Sequence, residues 1–280
     1  MNALTIHNSI LEGYKYLNPN RTNYKNETLW IIQKVLNKDA SYIALNKSHI
    51  MTSSEYKFFM QLVQRRVNNE PLQHILESVS FYGYDFQITK NVFIPRPETE
   101  SLIDIIKNNI TEIDSVLEVG TGTGCIPIVL ELEKISHNLQ SLDINPDAIS
   151  LAQKNAKNFN CKHIQFLCNN FFYFKPIQKY DLIISNPPYI ALHEISKLDS
   201  EVTLYDPLSA LTDYDNGLMF YQNFVEFGIK YLTKKGHMLL EFGGEHQIND
   251  LKNIFNHKNY NYRFFDDLNG ETRFILIQKT

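Results

Sequence analysis

The tetrapeptide Asn186-Pro187-Pro188-Tyr189 has the residue types needed to hold a flat amino group. The lone pair of an amide nitrogen is delocalised into its carbonyl, so this nitrogen attacks an electrophile only when it is desolvated and aligned. The Asn186 side-chain oxygen and a main-chain carbonyl beside it can each accept one N–H of an NH2 group. The prolines add no competing N–H, and the Tyr189 ring can lie against the substrate's flat face. A plain Pro-Pro turn is the alternative, but the flanking Asn and Tyr favour an amino-group site.

A glycine-rich turn, Gly120-Thr121-Gly122-Thr123-Gly124, follows an apolar strand pattern. Glycines let the backbone pass close to a ligand. The G-x-G-x-G spacing differs from the dinucleotide fingerprint, and no P-loop lysine follows it. Glu118, just before the turn, would repel a pyrophosphate but suits a positively charged ligand. We therefore predict that Glu118 and all five residues from Gly120 to Gly124 bind a cofactor that is neither NAD nor ATP.

Further polar residues follow the next two predicted strands. Asp143 ends the second, where a carboxylate can accept both hydroxyls of a ribose. Capping a helix is the alternative role for Asp143, although Asn145 or Asp147 could equally do that. After the third strand, Asn170 can bond an adenine amino group and Phe171 can stack on the ring. Together along one sheet edge, these residues indicate S-adenosylmethionine.

Alternating helices and strands are predicted to position these residues. Strands are expected near 114–119, 138–143, 163–168, 180–185, 236–242, 260–265 and 273–278. This alternation predicts an α/β fold with a doubly wound, mostly parallel, seven-stranded Rossmann-like sheet in residues 95–280. The last two strands are separated by only Asp267-Leu268-Asn269-Gly270, so they should form an antiparallel hairpin at one edge.

The amino-terminal part has a different pattern. Residues 3 to about 76 carry apolar residues at three- and four-residue spacing, which predicts a small all-α helical bundle over 1–76. Residues 77–94 are predicted to form a β-hairpin linker. Pro97 can then open a helix with Glu98 and Glu100 in its first turn.

Composition narrows the function classes. The net charge of −4 argues against a protein that coats phosphates, with residues 1–90 mildly basic and the remainder acidic. The three cysteines lack metal-ligand spacing and are predicted to be buried reduced thiols, and no metal site is predicted. The sequence shows neither the pattern of a signal peptide nor that of a membrane-spanning segment, so we expect a cytoplasmic protein.

The chain resembles the HemK/PrmC family, the peptide chain release factor glutamine methyltransferases. The resemblance extends over essentially the whole chain, and its main motifs are Leu117–Gly124, Asp143, Asn186–Tyr189 and Ile94–Glu100. The Asn-Pro-Pro-Tyr motif alone is shared with adenine-N6 methyltransferases of DNA and RNA. The stretch Pro95–Glu100 also separates this family from ribosomal-protein glutamine methyltransferases.

The resemblance implies that the chain methylates the side-chain nitrogen N5 of the glutamine in the Gly-Gly-Gln motif of class 1 release factors. It implies catalytic roles for Asn186, Pro187 and Tyr189, and binding of the glutamine amide by Asn186–Tyr189. Arg96 and Glu98 are predicted to bind substrate, Asn186 to contact the cofactor also, and the bundle to recognise the release factor. The family usually has an acid at position 170, often Trp at 171 and more often Glu at 206, so Asn170, Phe171 and Asp206 are departures.

Two other functions compete with this one. An adenine-N6 methyltransferase of DNA or RNA needs a basic, aromatic-lined groove for a flipped base, which the acidic catalytic half disfavours. A non-catalytic binding module would have no use for an intact cofactor motif. We therefore expect no stable nucleic-acid binding, with class 1 release factors as the partners.

Overall fold

The structure is a computed structural model that describes residues 4–17, 22–256 and 259–280. The chain divides into two compact units, Met1–Ser78 and Val79–Thr280.

The first unit is helical, as its apolar spacing predicts. Its helices are α1 (Ile6–Leu17), α2 (Tyr24–Leu36), α3 (Ala40–Leu45), α4 (Ser53–Val67) and α5 (Leu72–Leu76). Their buried apolar faces form one core that includes Ile10, Ile31 and Phe59. At the start of α4, the Thr52 hydroxyl accepts the Glu55 N–H and the Glu55 carboxylate accepts the Thr52 N–H, so both ends of a capping box are present.

A buried ion pair joins α2 to α4 inside this unit. The Arg66 guanidinium donates two hydrogen bonds of 2.9 Å to the two carboxylate oxygens of Glu27. A third N–H of Arg66 donates to the Glu70 carbonyl oxygen at 2.9 Å. Both paired side chains are buried, so the bidentate geometry compensates charges that have lost most of their hydration.

The linker is a shorter hairpin than predicted. Strands β1 (Ser78–Phe81) and β2 (Tyr84–Gln87) pair, but residues 88–94 form no strand. Ile88, Val92 and Ile94 are buried there instead, Phe93 is half-buried, and Val92 packs against Ala148 and Leu151. A 3₁₀ helix (Pro97–Glu100) then leads into α6 (Ser101–Asn109), which confirms that Pro97 opens a helix.

The second unit contains all seven predicted strands in one sheet. They are β3 (Val116–Val119), β4 (Leu139–Asp143), β5 (Ile164–Cys168), β6 (Tyr180–Ser185), β7 (Leu232–Glu241), β8 (Tyr260–Asp266) and β9 (Thr272–Lys279). Their spatial order is β5-β4-β3-β6-β7-β9-β8. The first five are parallel, β9 is antiparallel to both β7 and β8, and β8 lies at the edge. The predicted fold class and its carboxyl-terminal hairpin are therefore confirmed.

Helices complete this unit, and buried apolar side chains form two large clusters around the sheet. The helices are α7 (Cys125–Leu132), α8 (Pro146–Asn158), α9 (Ser200–Tyr205), α10 (Leu208–Leu211), α11 (Met219–Tyr231) and α12 (Ile248–Phe255), with 3₁₀ turns at Phe171–Tyr173, Leu192–Lys197 and Glu245–Gln247. Neighbouring residues of β3 alternate between the clusters, with Val116 in one and Leu117 in the other. None of the helices in the described part of the chain is both long and apolar enough to span a membrane.

The cysteine prediction is wrong for one residue. Cys125 is buried and Cys161 half-buried, but Cys168 is exposed. Cys168 ends β5, the strand at one edge of the sheet, so it lacks a neighbouring strand on its outer side.

Candidate active site

The predicted site residues meet where the strand order reverses. The chain runs from β3 outward to β4 and β5, and then returns to β6 on the other side of β3. Such a switch point opens a crevice beyond the carboxyl ends of the strands. Val119 pairs with Ser185, so the residues that follow them, Gly120 and Asn186, are neighbours. A cavity lies at this point.

Most of the predicted site residues line this cavity. They are Glu118, Gly120, Thr121, Gly122, Thr123, Asp143, Asn170, Phe171, Asn186, Pro187 and Pro188. Gly124, Tyr189, Arg96 and Glu98 do not line it, whereas Pro95 and Thr99 of the Pro95–Glu100 stretch do.

The glycines of the turn serve two purposes. Gly120, Gly122 and Gly124 all have positive φ, between 53° and 86°. A Cβ at Gly122 would meet nothing within 4 Å, so the backbone there is open to a ligand. A Cβ at Gly124 would lie 2.9 Å from the Cβ of Ala152, so this glycine lets the start of α7 pack closely on α8. Cofactor binding by Gly124 stays a prediction, and the packing gives this glycine a structural role as well.

Glu118 brings a buried carboxylate to the cavity wall. One of its oxygens accepts a hydrogen bond from Ser141, whose hydroxyl also bonds that of Thr121. The other oxygen is buried without a hydrogen-bond partner among the described residues. Burial, with a smaller contribution from the Asp143 charge, raises the pKa of Glu118 well above its ordinary value. A cationic ligand in the cavity would relieve this unfavourable environment.

Asp143 is held in place by the backbone. Its two carboxylate oxygens accept the N–H groups of Gly122 at 2.9 Å and Asn145 at 2.8 Å. Asn145 is itself the cap of α8 and accepts the Asp147 N–H, so the alternative role of Asp143 as a helix cap does not apply. Burial raises the pKa of Asp143. Each of its oxygens keeps a lone pair for a ribose hydroxyl.

Asn170 and Phe171 occupy the far wall of the cavity. The Asn170 side-chain oxygen accepts the Phe172 N–H at 2.9 Å and so caps the short 3₁₀ turn. This leaves one acceptor lone pair for an adenine amino group. Phe171 is buried and its ring is parallel to that of Phe220, at 6.1 Å between centroids, with Phe224 tilted against it at 4.6 Å. A cluster of aromatic rings therefore fixes the apolar wall.

The residues present fit S-adenosylmethionine. The unpartnered oxygen of Glu118 matches a cationic group, the backbone-anchored carboxylate of Asp143 matches a diol, and Phe171 offers an aromatic surface. The open side of Gly122 gives the ligand close access to the backbone.

Asn186 is oriented by the segment that lies beside it. Its side-chain nitrogen donates to the Thr99 hydroxyl at 3.2 Å, which leaves its side-chain oxygen available to accept an N–H. Just before it, the Ser185 hydroxyl donates to the Val119 carbonyl at 2.6 Å and ties β6 to β3. The amide of Asn186 is thus an acceptor with a fixed direction.

Glu241 is a candidate functional residue that the prediction of site residues missed. It follows Leu240, which pairs with Ser185, so it lies next to Asn186 at the end of the neighbouring strand. Its carboxylate is buried, and one oxygen has no partner within the described ranges. Burial raises the pKa of Glu241 to about 7, against the opposing effects of Thr99, Arg273 and Asn186. The available signal was an acid that ends an apolar strand, as Asp143 does.

The backbone of Tyr189 is held from two sides. Its carbonyl oxygen accepts a 2.9 Å hydrogen bond from the Gln247 side chain, which in turn accepts the Gly243 N–H at 2.8 Å. On the other side, a Cβ at Gly217 would lie 2.2 Å from the same carbonyl oxygen, and Gly217 has a φ of +80°. The tetrapeptide therefore needs a glycine at 217 to keep its path.

Arg96 and Glu98, both predicted to bind substrate, already have partners in the protein. The Arg96 guanidinium donates to the buried carboxylate of Asp206 at 2.5 Å and lies 4.9 Å from the Phe93 ring centre. Glu98 accepts a long hydrogen bond of 3.5 Å from Asn269.

Both parts of the chain match known protein families. Residues 11–76 match the family described as PrmC N-terminal domain, and residues 96–203 match the methyltransferase small domain. A release factor glutamine methyltransferase of Geobacter sulfurreducens is 34% identical over 223 residues, which cover 79% of this chain and 78% of that protein.

Other similar proteins include a bifunctional methyltransferase of Rickettsia bellii, 32% identical over 95% of this chain and 53% of that protein. The chain thus spans about half the length of this relative. A methyltransferase crystal structure from Pyrococcus furiosus shares the fold, with a TM-score of 0.55 at 16% identity over 77% of this chain and 96% of that one.

Proposed function

Because this chain belongs to the release factor glutamine methyltransferase family, we propose that it methylates a class 1 release factor. The acceptor is the side-chain nitrogen N5 of the glutamine in the Gly-Gly-Gln motif, and the methyl donor is S-adenosylmethionine.

The observation that carries this proposal is the pairing of Val119 with Ser185. It sets the cofactor turn, which begins at Gly120, beside the amide acceptor of Asn186. A methyl donor bound at the end of β3 would therefore face an amino group held at the end of β6. Reacting groups that are oriented in this way can gain about 7–11 kcal/mol over free encounter.

The chain's own residues supply binding and orientation. Glu118, Gly122, Asp143 and Phe171 hold the cofactor, which when bound supplies an electrophilic methyl group on a positively charged sulfur. The Asn186 side-chain oxygen and a main-chain carbonyl of the tetrapeptide accept the two N–H groups of the glutamine amide. These hydrogen bonds strengthen as positive charge develops on the nitrogen. No general base is needed before the attack, because the nitrogen can release its extra proton to water after the transfer.

Glu241 and Thr99 position Asn186 in this reaction. Thr99 accepts from the Asn186 side-chain nitrogen, and the Glu241 carboxylate lies close enough to both for each to lower its pKa. With its N–H groups directed towards these acceptors, Asn186 presents its oxygen to the substrate. The two residues therefore act through Asn186.

The amino-terminal bundle contacts the release factor in this proposal. Residues 1–90 contain ten Lys and Arg against seven Asp and Glu, whereas the remaining residues contain seventeen against twenty-four.

Because release factors act in translation, the protein works in the cytoplasm. This chain covers most of the length of three relatives, and all three are named release factor glutamine methyltransferases. The adenine-N6 alternative is therefore not favoured.

A labelling experiment tests the proposed function. The protein is given methyl-labelled S-adenosylmethionine and either a purified class 1 release factor or a DNA duplex. We expect label on the release factor at the Gly-Gly-Gln glutamine, and none on a release factor in which that glutamine is replaced by glutamate. Labelled DNA with an unlabelled release factor would establish the adenine alternative instead.

A further inference from the structure

A second group of chemically reactive side chains lies at the amino ends of the strands, opposite the candidate active site. Glu131 is near the end of α7, His137 precedes β4, and His163 precedes β5. Because β4 and β5 are parallel, their amino ends lie side by side, opposite the carboxyl ends that form the candidate active site. One ligand atom from each of the three side chains lies within 4.8 Å of the other two.

The carboxylate of this group is fixed before any ligand binds. One Glu131 oxygen accepts the Lys162 N–H at 2.9 Å, and the other accepts the His163 N–H at 3.1 Å. Glu131 is also buried, unlike the two exposed histidines. Each carboxylate oxygen has a second lone pair, so the backbone bonds orient the group without exhausting it.

The two imidazoles are grouped around this carboxylate. The His163 Nδ1 atom forms a 2.9 Å hydrogen-bonding contact with Glu131 Oε1, which a bound ion would replace. The rings of His137 and His163 meet edge to face with 5.2 Å between their centroids. A tetrahedral zinc ion with bonds of about 2.0–2.1 Å requires ligand atoms about 3.3 Å apart. The His163–Glu131 separation is near that value, and the exposed His137 side chain can rotate towards the same point.

The donor set selects the type of ion. Two imidazole nitrogens and one carboxylate oxygen suit zinc and similar transition-metal ions, whereas magnesium and calcium prefer oxygen ligands. The spacing along the chain did not predict a metal site, because His137 and His163 are 26 positions apart and meet only when β4 and β5 align.

We propose that Glu131, His137 and His163 form a binding site for a zinc-like divalent ion, with water as the fourth ligand. The ion would join the end of α7 to the amino ends of β4 and β5. The ion would lie at the amino ends of the strands, opposite the cavity that holds Asn186, so it would take no part in the methyl transfer. This site is independent of the proposed methyl transfer.

Calorimetric titration of the metal-free, full-length protein with zinc chloride tests this site. We expect one site that is weakened at least tenfold in the His137→Ala and His163→Ala variants, because three protein ligands become two. His193→Ala, which removes an exposed histidine elsewhere in the same unit, is the matched control and should leave this site unchanged. Zinc should also raise the thermal midpoint of the wild type but not that of the His137→Ala variant.

Several results would overturn the proposal. They are the absence of zinc binding by the wild type, equal binding by His137→Ala, and tighter binding of magnesium than of zinc. Because Glu131 also bonds the backbone, Glu131→Gln is checked for folding by circular dichroism before its zinc binding is interpreted. Methyl transfer by His137→Ala should equal that of the wild type, so failure of this site leaves the proposed function untouched.

Discussion

At the scale of single residues, Asn186 has a side chain with two chemically different ends. Its nitrogen donates to Thr99, so its oxygen is the end left for a substrate N–H. In the opposite orientation, the amide would present its N–H groups to the N–H donors of the substrate and repel them. The direction of this one side chain therefore decides whether the site holds an amino group.

Replacing Asn186 tests this directionality. We expect Asn186→Ala and Asn186→Asp to lower kcat by about 10²–10³-fold, the typical effect of losing one hydrogen-bonding group that stabilises a transition state. The loss of cofactor affinity should be far smaller. Aspartate should fail as well as alanine, because it cannot donate to Thr99 and adds a charge beside Glu241. Single-turnover rates and cofactor binding are measured for both variants, with Asn109→Ala as control. Near-normal turnover in either variant would contradict the role of Asn186.

Glu241 should make the free energy of unfolding depend on pH. Its pKa is raised from 4.5 to about 7, so between these values the folded protein keeps a proton that the unfolded chain has lost. The stabilisation that proton binding to Glu241 gives the folded state is therefore complete below about pH 4.5 and is lost as the pH rises to about 7. Relative to Glu241→Gln, which cannot titrate, the wild type should lose unfolding free energy across this range and then level off. Urea denaturation at a series of pH values measures this, and parallel profiles would contradict it.

A second readout separates positioning from stability. The ionised carboxylate is the better acceptor for the neighbouring N–H groups, so kcat/KM of the wild type should rise with pH through about 7. The Glu241→Gln variant should lack this rise. A purely structural role would leave the two pH profiles with the same shape.

Residue types alone could predict only part of this site. Glu118 and Asp143 are among the last two residues of an apolar strand and Asn186 directly follows one, so the signal for each is local. Glu241 matters because of its register with β6, and Gly124 because of its contact with Ala152. Both depend on partners far along the chain, which spacing does not reveal. Arg96 has a buried partner, Asp206, 110 positions away, and only the fold shows it.

At the scale of the elements, the strands were predictable because each is a short apolar run bounded by turn residues. The exception was residues 88–94, where Val92 packs against Ala148 and Leu151 of α8 and no residue pairs in a sheet. Burial and strand pairing both favour apolar residues, so the pattern alone does not distinguish them. The bundle helices were predictable from their spacing, but the charged pair between α2 and α4 was not.

Breaking that pair should destabilise the bundle. Glu27→Ala leaves the Arg66 guanidinium buried without its carboxylate, which typically costs about 3–5 kcal/mol. The double variant Glu27→Met, Arg66→Leu removes both charges and should recover most of this loss. The single tryptophan of the chain, Trp30, lies in α2, so its fluorescence during urea denaturation reports on this unit.

The exposed pair between Lys34 and Glu77 provides the matched control. It has a similar distance of 2.9 Å, but the Glu77 side chain is 72% exposed. Glu77→Gln should therefore change stability by less than about 1 kcal/mol. If Glu27→Ala is as mild as this control, burial does not set the strength of the Arg66 pair.

At the scale of the whole molecule, two units with separate cores share one chain. Apolar clusters are buried inside the helical unit and around the central sheet. Every residue lining the cavity belongs to the second unit. The chemistry can therefore be separated experimentally from the recognition that we propose for the bundle.

Deleting residues 1–76 tests that division of labour. The truncated chain should keep methylating a short Gly-Gly-Gln peptide with little change in KM, because the cavity is intact. Its KM for a whole release factor should rise, because the bundle contacts are gone. Steady-state kinetics with the two substrates measures this difference. An equal change for both would indicate a bundle that only supports the fold.

The exposed thiol at the end of β5 makes the wild-type chain suitable for optical study. Burial raises the pKa of Cys125 to about 12 and that of Cys161 to about 11, so both react slowly with electrophiles at neutral pH. Cys168 is exposed and is the register partner of Asp143, which lines the cavity. A maleimide dye should therefore attach mainly at the rim of the cofactor pocket. Its emission would follow ligand occupancy in real time, with no engineered cysteine.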